Sequence, residues 1–539
     1  MASSSLKISV LVWVDILALY AISTLITYLT NVWKLNYTHA AAIVNLFWGF
    51  TAILPFTMQY VVDTLIGNYR MVCLSNFAYS IGLGFLAMST PPVLFRVAGT
   101  CSEYKPECVG TGQKTLFYTA LTLIAIGMSG RVTSLPVLDA EHKNSLGEDM
   151  HEKYYFYLGI FALILVPIIG AIAIPYIKPW SIRFGITAIC SVLATLVFLT
   201  GSYEHDSARG SPLTALFRVL VASASKVFHK CPNDASELYQ GNGTSDNKIP
   251  HTRRLRFLDK AAINLTDQQR NNRWNLCSVT EVEETKSIIC MIPMCTTFFI
   301  LGVVSSIGNT YFLEQANHMR HKIGHLSVPL TILIFFRDQA KSQFASCYFR
   351  IASSGSSLSR YAARVGIAVS MIFAVHCCIT AAKVENRRLY VITSHGLVDK
   401  PKERIPMSMF WLVPQFFLLG GLDGISHKSI NLFVSDHGPK SMDRYMNHFA
   451  MAVFGVGNMG SVLSVYLVDK ISSRGGNPSW FQNTLNHSRL DKYYWVLAAL
   501  TAANFVLYIF MAVWYDRKVL KPEEMDAPTN NQSMESFED

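Results

Sequence analysis

Asp15, Arg131, Asp423 and His427, with the triplet Arg337, Asp338 and Lys341, are ionisable residues set inside otherwise apolar stretches of a 539-residue chain. A charge inside a membrane-spanning helix costs at least a few kcal/mol, so such residues are functional candidates by default. Asp423 and His427 are four apart and share one helical face. Gly420, Gly421 and Gly424 beside them let another helix or a solute come close. An acid and an imidazole in one low-dielectric pocket can exchange a proton, because histidine titrates near neutrality. The competing account is a structural hydrogen-bonded pair; Asp423 is the functional candidate and His427 its neighbour. Only a turn and a half of helix precedes Asp15, so snorkelling to the surface and a functional role both stay open. The Arg337–Lys341 cluster interrupts its apolar run and reads as structural, paired internally or marking a bend.

The elements that must position these residues are long apolar runs. Spanning helices are expected at 9–30, 40–62, 71–90, 115–137, 155–176 and 180–201, then at 288–309, 325–348, 362–384, 408–433, 445–468 and 493–515. Each is near the ~20 residues that cross a bilayer. The first is too long for a signal-peptide core and no small-residue cleavage site follows, so it reads as an uncleaved span. The expected organisation is a tail 1–8, six helices over 9–201, a cytosolic connector 202–287, six helices over 288–515 and a disordered tail 516–539. The fold class is therefore an all-α, multi-pass integral membrane protein with twelve transmembrane helices in two six-helix bundles. The even count puts both termini on the connector's side, taken as cytosolic. The loop 385–407, with five basic residues on the other side, makes the charge asymmetry a weak vote. Sequons at Asn36 and Asn486, and a polar loop holding Cys101 and Cys108 as a candidate disulfide, fall outside in this arrangement. Plasma and vacuolar membranes are not distinguished, nor is an oligomeric state.

Composition agrees. The chain is 51% hydrophobic and 15% charged, against ~25% charged in soluble proteins. Net charge is +10, with much of the excess in the connector. Basic residues beside spans stay cytosolic and touch anionic lipid, which argues for a lipid partner and against nucleic acid. No metal and no cofactor are expected. His318, His321 and His325 have ligand-like spacing but no acidic or thiol companion. Gly110-Thr-Gly-Gln-Lys-Thr115 mimics a phosphate loop but lacks adjacent Gly-Lys and follows no strand. No nucleophile–base constellation is present, so the chain is not read as an enzyme.

The connector strings Arg209-Gly-Ser-Pro-Leu-Thr214, His251-Thr-Arg-Arg-Leu-Arg-Phe-Leu-Asp-Lys-Ala-Ala-Ile263 and Trp274-Asn-Leu-Cys-Ser-Val-Thr280 resemble the central-loop signature of the proton-coupled oligopeptide transporter family. The resemblance is nearest to its plant nitrate/peptide branch. It continues in Thr280-Glu-Val-Glu-Glu-Thr-Lys286, Phe410-Trp-Leu-Val-Pro-Gln-Phe-Phe-Leu-Leu-Gly420 and Phe454-Gly-Val-Gly-Asn-Met-Gly460, and spans roughly residues 9–515. It implies the major facilitator fold, with the solute site between the halves near mid-membrane. It also gives Asp63-Thr-Leu-Ile-Gly67-Asn-Tyr-Arg70 the character of the facilitator loop, with Asp63, Gly67 and Arg70 as a conformational gate.

The implied activity is secondary transport of nitrate, peptide or another small metabolite, with protons as the coupling ion. The family's site residues carry over unevenly. Its first-helix Glu-x-x-Glu-Arg/Lys, matched through Tyr20, falls on Val12, Asp15 and Ile16, so the cation is lost and nothing obvious keeps Asp15 ionised. The fourth-helix lysine is absent, with Arg131 offset by about one residue. Phe156, Tyr157 and Ile160 keep half of a fifth-helix motif, with Phe161 in place of its asparagine. Ser305 stands where the nitrate carrier has histidine. Asp423 matches the tenth-helix acid. The resulting substrate and coupling set is Asp423, Asp15, Tyr20, Arg131, Tyr157, Ser305 and His427. A sensor that binds without translocating, or a proton-independent uniporter, is the alternative.

Overall fold

The computed structural model describes residues 4–90, 110–145, 165–201, 203, 210–232, 237–240, 249, 251–264, 274–354 and 361–517. It is mostly helical. Among the described residues, eight helices are long and apolar enough to span a membrane. They are Leu6–Asn31, Tyr37–Met88, Thr111–Ala140, Trp180–Leu199, Ala362–Ser394, Met409–His437, Lys440–Ser472 and Leu490–Tyr515. Val279–Thr296 and Phe299–His318 make a ninth as a pair bent by 45°. The protein is an integral, multi-pass membrane protein. Cys101, Cys108, Phe156, Tyr157, Ile160, Phe161 and the tail after 517 lie outside the described residues.

The helix Trp180–Leu199 shows why lipid rather than water is its solvent. Ile182, Ile189, Leu193 and Leu196 are exposed, while Arg183, Thr187, Ser191 and Thr195 are buried. The pattern is inverted from that of a soluble amphipathic helix, because hydrocarbon welcomes the apolar face and the bundle interior must satisfy the polar one. Ser191 meets Ser80 hydroxyl to hydroxyl at 2.9 Å; such interhelical bonds contribute about 0.6 kcal/mol each.

Several expected bounds are corrected. The segment expected as one span at 288–309 begins at Val279, bends after Thr296 and runs on to His318. At the bend, Thr296 and Thr297 hydroxyls bond back to the carbonyls of Pro293 and Met294, both at 2.7 Å, a pattern that bends helices. The next helix starts at Thr331, later than expected, because Met319–Arg320, Lys322–Ile323 and Leu326–Ser327 are short strands. Met319–Arg320 pairs in parallel with Ile405–Ser408. The helix Ala362–Ser394 outruns its expected end at 384. The run Tyr37–Met88 is interrupted by a π-helical turn, Val62–Ile66, and by Gly67 at φ 74°, a conformation that favours glycine.

The chain divides into two compact units. The first is Met1–Arg209, Phe298–Asn431 and Asn447–Ala502. Within it, residues before and after the connector meet. Tyr37 hydrogen-bonds Ser488 at 2.8 Å, Asn45 bonds Ser461 at 2.8 Å and Thr30 bonds Glu314 at 3.1 Å. The second unit is Gly210–Thr297, Leu432–Met446 and Ala503–Asp539. It corrects the expectation of a merely water-exposed connector. The helix Pro212–Ser225, capped by Ser211, packs Val219 and Ala222 against Leu258, Ala261, Ala262, Ile263 and Val282 in a buried core. Lys226 donates to the carbonyls of Ala261 and Ile263 at 3.4 and 2.7 Å, and burial lowers its pKa.

Candidate functional site

The helix Ser4–Ser23 carries Asp15, and the helix Thr111–Ser145 carries Arg131. Their side chains meet at 2.6 Å. This overturns the expectation that Asp15 lacks a partner cation: an arginine 116 positions away replaces the one lost from its own helix. Arg131 also donates to the Leu11 carbonyl at 3.4 Å, and its guanidinium lies 4.8 Å from the centre of the Tyr79 ring. It is held on three sides with 3% of its side chain exposed, whereas Asp15 keeps 32%. Asp15 is therefore the more open member of the pair. Tyr79 is a contributor the sequence reading missed.

After the connector, Ser305 donates its hydroxyl proton to Asp423 Oδ1 at 2.7 Å. Asp423 is buried, and its bond goes to Ser305 instead of His427. The His427 ring stands edge-on to Phe454 at 5.0 Å, so the structure does not bring the expected acid–imidazole pair into contact. Arg337 donates to Asp338 Oδ1 at 3.1 and 2.9 Å and to Asn309 Oδ1 at 2.5 Å. Asp423 and Tyr20 are within its electrostatic reach. Arg337 and Asp338 thus pair with each other, the internal pairing that the sequence allowed. Asn309 was also missed; its signal is its place one helical turn after Ser305.

Glycines explain the closeness. A Cβ on Gly420 would lie 2.5 Å from the Arg337 carbonyl, and one on Gly424 would lie 2.3 Å from that of Lys341. The helices Thr331–Ala352 and Val413–His437 therefore touch backbone to backbone. At the facilitator-like loop, Gln59 donates to Asp63 at 3.0 Å, while Arg70 is exposed.

The candidate zinc histidines have other partners. His318 meets Glu314 at 3.1 Å, so it does have an acidic companion, and His321 bonds the Ala316 carbonyl at 2.8 Å. A metal-like grouping occurs instead in the second unit, where donor atoms of His251, Asp259 and Glu283 lie within 4.8 Å of one another. Lys286 already supplies the positive charge there, at 2.6 Å from Asp259 and 2.7 Å from Glu283. Thr252 adds bonds of 3.0 and 2.6 Å to Glu283, and His251 meets Asp259 at 3.1 Å. An ammonium occupying the centre leaves no place for a metal ion. The arrangement joins two strings, 251–263 and 280–286, that sequence alone left without a role.

A helical membrane protein with paired charges from both sides of a central connector, buried in one unit, is a transporter architecture. The chain belongs to the POT family: the model described as PTR2, POT family, matches residues 69–481. It is 41% identical over 524 residues to "Protein NRT1/ PTR FAMILY 5.5" of Arabidopsis thaliana, covering 94% of this chain and 96% of that protein. It is 29% identical over 530 residues to "Protein NRT1/ PTR FAMILY 8.1" of the same plant, covering 93% and 91%. In fold it is similar to the POT family transporter PepTSo, with a TM-score of 0.64, 14% identity and coverage of 96% and 99%. A POT family transporter solved in complex with 5-aminolevulinic acid is similar at a TM-score of 0.60, 11% identity and 96% coverage of both chains. The family is one of small-solute transporters rather than enzymes.

Proposed function

We propose that this chain moves a small organic or anionic solute by alternating access between two six-helix bundles, twelve spans in all, with Asp63, Gly67 and Arg70 at the gate. The supporting observation is that helices before and after the connector touch inside one unit, Thr30 bonding Glu314 at 3.1 Å and Asn45 bonding Ser461 at 2.8 Å. In this proposal residues from both halves face one solute space, to which Tyr20, Asp15, Arg131, Ser305, Asp423 and His427 contribute. The proposal keeps the expected domain boundaries at 201 and 288 and both termini on the connector's side. Tyr157 belongs to the set by family resemblance.

Proton coupling runs through Asp423 in this proposal. Its direct partner is a neutral hydroxyl, so it can take a proton without breaking an ion pair. Asp15 is the second candidate, but its carboxylate holds Arg131 and would have to give up that ion pair to take a proton. The test is tracer uptake across an external pH series for wild type and Asp423→Asn at matched surface expression. Loss of the pH response in the variant is expected; unchanged uptake with an unchanged pH response would sink the assignment. Solute-induced thermal stabilisation without flux would identify a sensor instead, and flux indifferent to pH in wild type a uniporter.

A further inference from the structure

Resting on the transporter reading above, we infer that Lys341 is the solute's anion-binding residue, so that an oxyanion group, carboxylate or nitrate, docks on the second half of the chain. The argument is an accounting of cations. Arg131 is enclosed by the Asp15 carboxylate, the Leu11 carbonyl and the Tyr79 ring. An incoming anion would have to displace an acid held at 2.6 Å to reach it. Arg337 commits three of its five N–H donors to Asp338 and Asn309, so its charge is already held by a carboxylate. Lys341 differs. Among the described residues its ammonium has neither an ion pair nor a hydrogen bond.

Its position is interior. On the helix Thr331–Ala352, residues 334, 337, 338, 341, 344, 345 and 348 form the buried or half-buried face, while 336, 339, 342 and 343 are exposed. Lys341 therefore shares a face with Arg337 and Asp338, and its electrostatic neighbour is His427. An unpaired cation on an inward face of a membrane helix is held there at a cost. A solute oxyanion that accepts a charge-assisted hydrogen bond removes that cost. On the first half, by contrast, the open group is Asp15, whose exposed surface offers an acceptor. The space is thus polarised, with an acceptor toward the first helix and an uncommitted donor cation toward the eighth predicted span.

The experiment expresses wild type, Lys341→Gln and Lys341→Arg in oocytes at matched surface levels. The probes are 15N-nitrate, 14C-succinate and the uncharged 14C-succinamide. We expect wild type to take up at least one of the two anions. Lys341→Gln should raise its KM at least about tenfold, the scale of a lost charged hydrogen bond. Lys341→Arg should recover most of the loss, and any succinamide uptake should not change. An unchanged anion KM in Lys341→Gln, or wild-type uptake confined to succinamide, overturns the inference while leaving the transporter reading intact. If wild type reaches the surface and moves no probe, thermal shifts of the purified proteins decide. Anion stabilisation of wild type that is lost in Lys341→Gln upholds the subsite and fails the transporter reading; no anion stabilisation overturns the subsite.

Discussion

Two regions of this molecule bury several charges each, and they treat them differently. In the connector unit, Lys286 lies between Asp259 and Glu283, with Thr252 and His251 completing their shells. The side chains of Lys286, Asp259 and Glu283 are 2–4% exposed. In the first unit, Asp15 keeps 32% of its side-chain surface, Asp338 also keeps 32% and, among the described residues, the Lys341 ammonium has no ion-pair or hydrogen-bond partner. The first arrangement is closed and resembles a rivet; the second leaves valences for something that comes and goes. Buried charge alone does not mark a solute site. Charge left unfinished by the fold does.

The largest expected effect tests the closed region. Lys286→Met leaves two carboxylates buried without a cation and should cost about 3–5 kcal/mol, the penalty for breaking a buried pair. It is read as a fall in the thermal midpoint of the purified protein. A smaller cost than that of the next variant would break the distinction. Arg131→Gln leaves Asp15 without its cation but with 32% of its side chain open, so about 2 kcal/mol is expected. The double variant Asp15→Asn/Arg131→Gln should regain most of it, and the coupling energy from the cycle measures the pair itself. Smallest is Gly421→Ala, whose added methyl meets the Phe373 ring, a side chain that can shift; about 1 kcal/mol of stability is expected to go. Its use is to sharpen the contrast, since the uptake KM should move although no charge has changed.

Much of the fold was legible because lipid imposes a simple rule of length and apolarity. The helices Trp180–Leu199 and Leu490–Tyr515 fall within a few residues of their expected bounds. The bend after Thr296 was missed although Pro293, which removes a backbone donor from that helix, was there to signal it. The site was legible in part. Asp423 and Ser305 were each named, but their contact was not, and neither was the Asp15–Arg131 pair. Both depend on how helices are rotated about their axes, which a weak amphipathic pattern leaves undetermined. The Arg337–Lys341 cluster was expected to pair internally or to mark a bend, and Arg337 does pair with Asp338. The bond expected between Asp423 and His427 failed for a related reason: sharing a helical face brings two side chains near, but a better-aimed hydroxyl on a neighbouring helix captured the acid.

The seam at Gly420 and Gly424 carries a mechanical corollary. Two rods that mesh main chain to main chain have no cushion of side chains between them to absorb sliding. On the proposed alternating-access reading, Lys341 and Asp423 ride together as cargo on a single beam, with their spacing kept while their surroundings change.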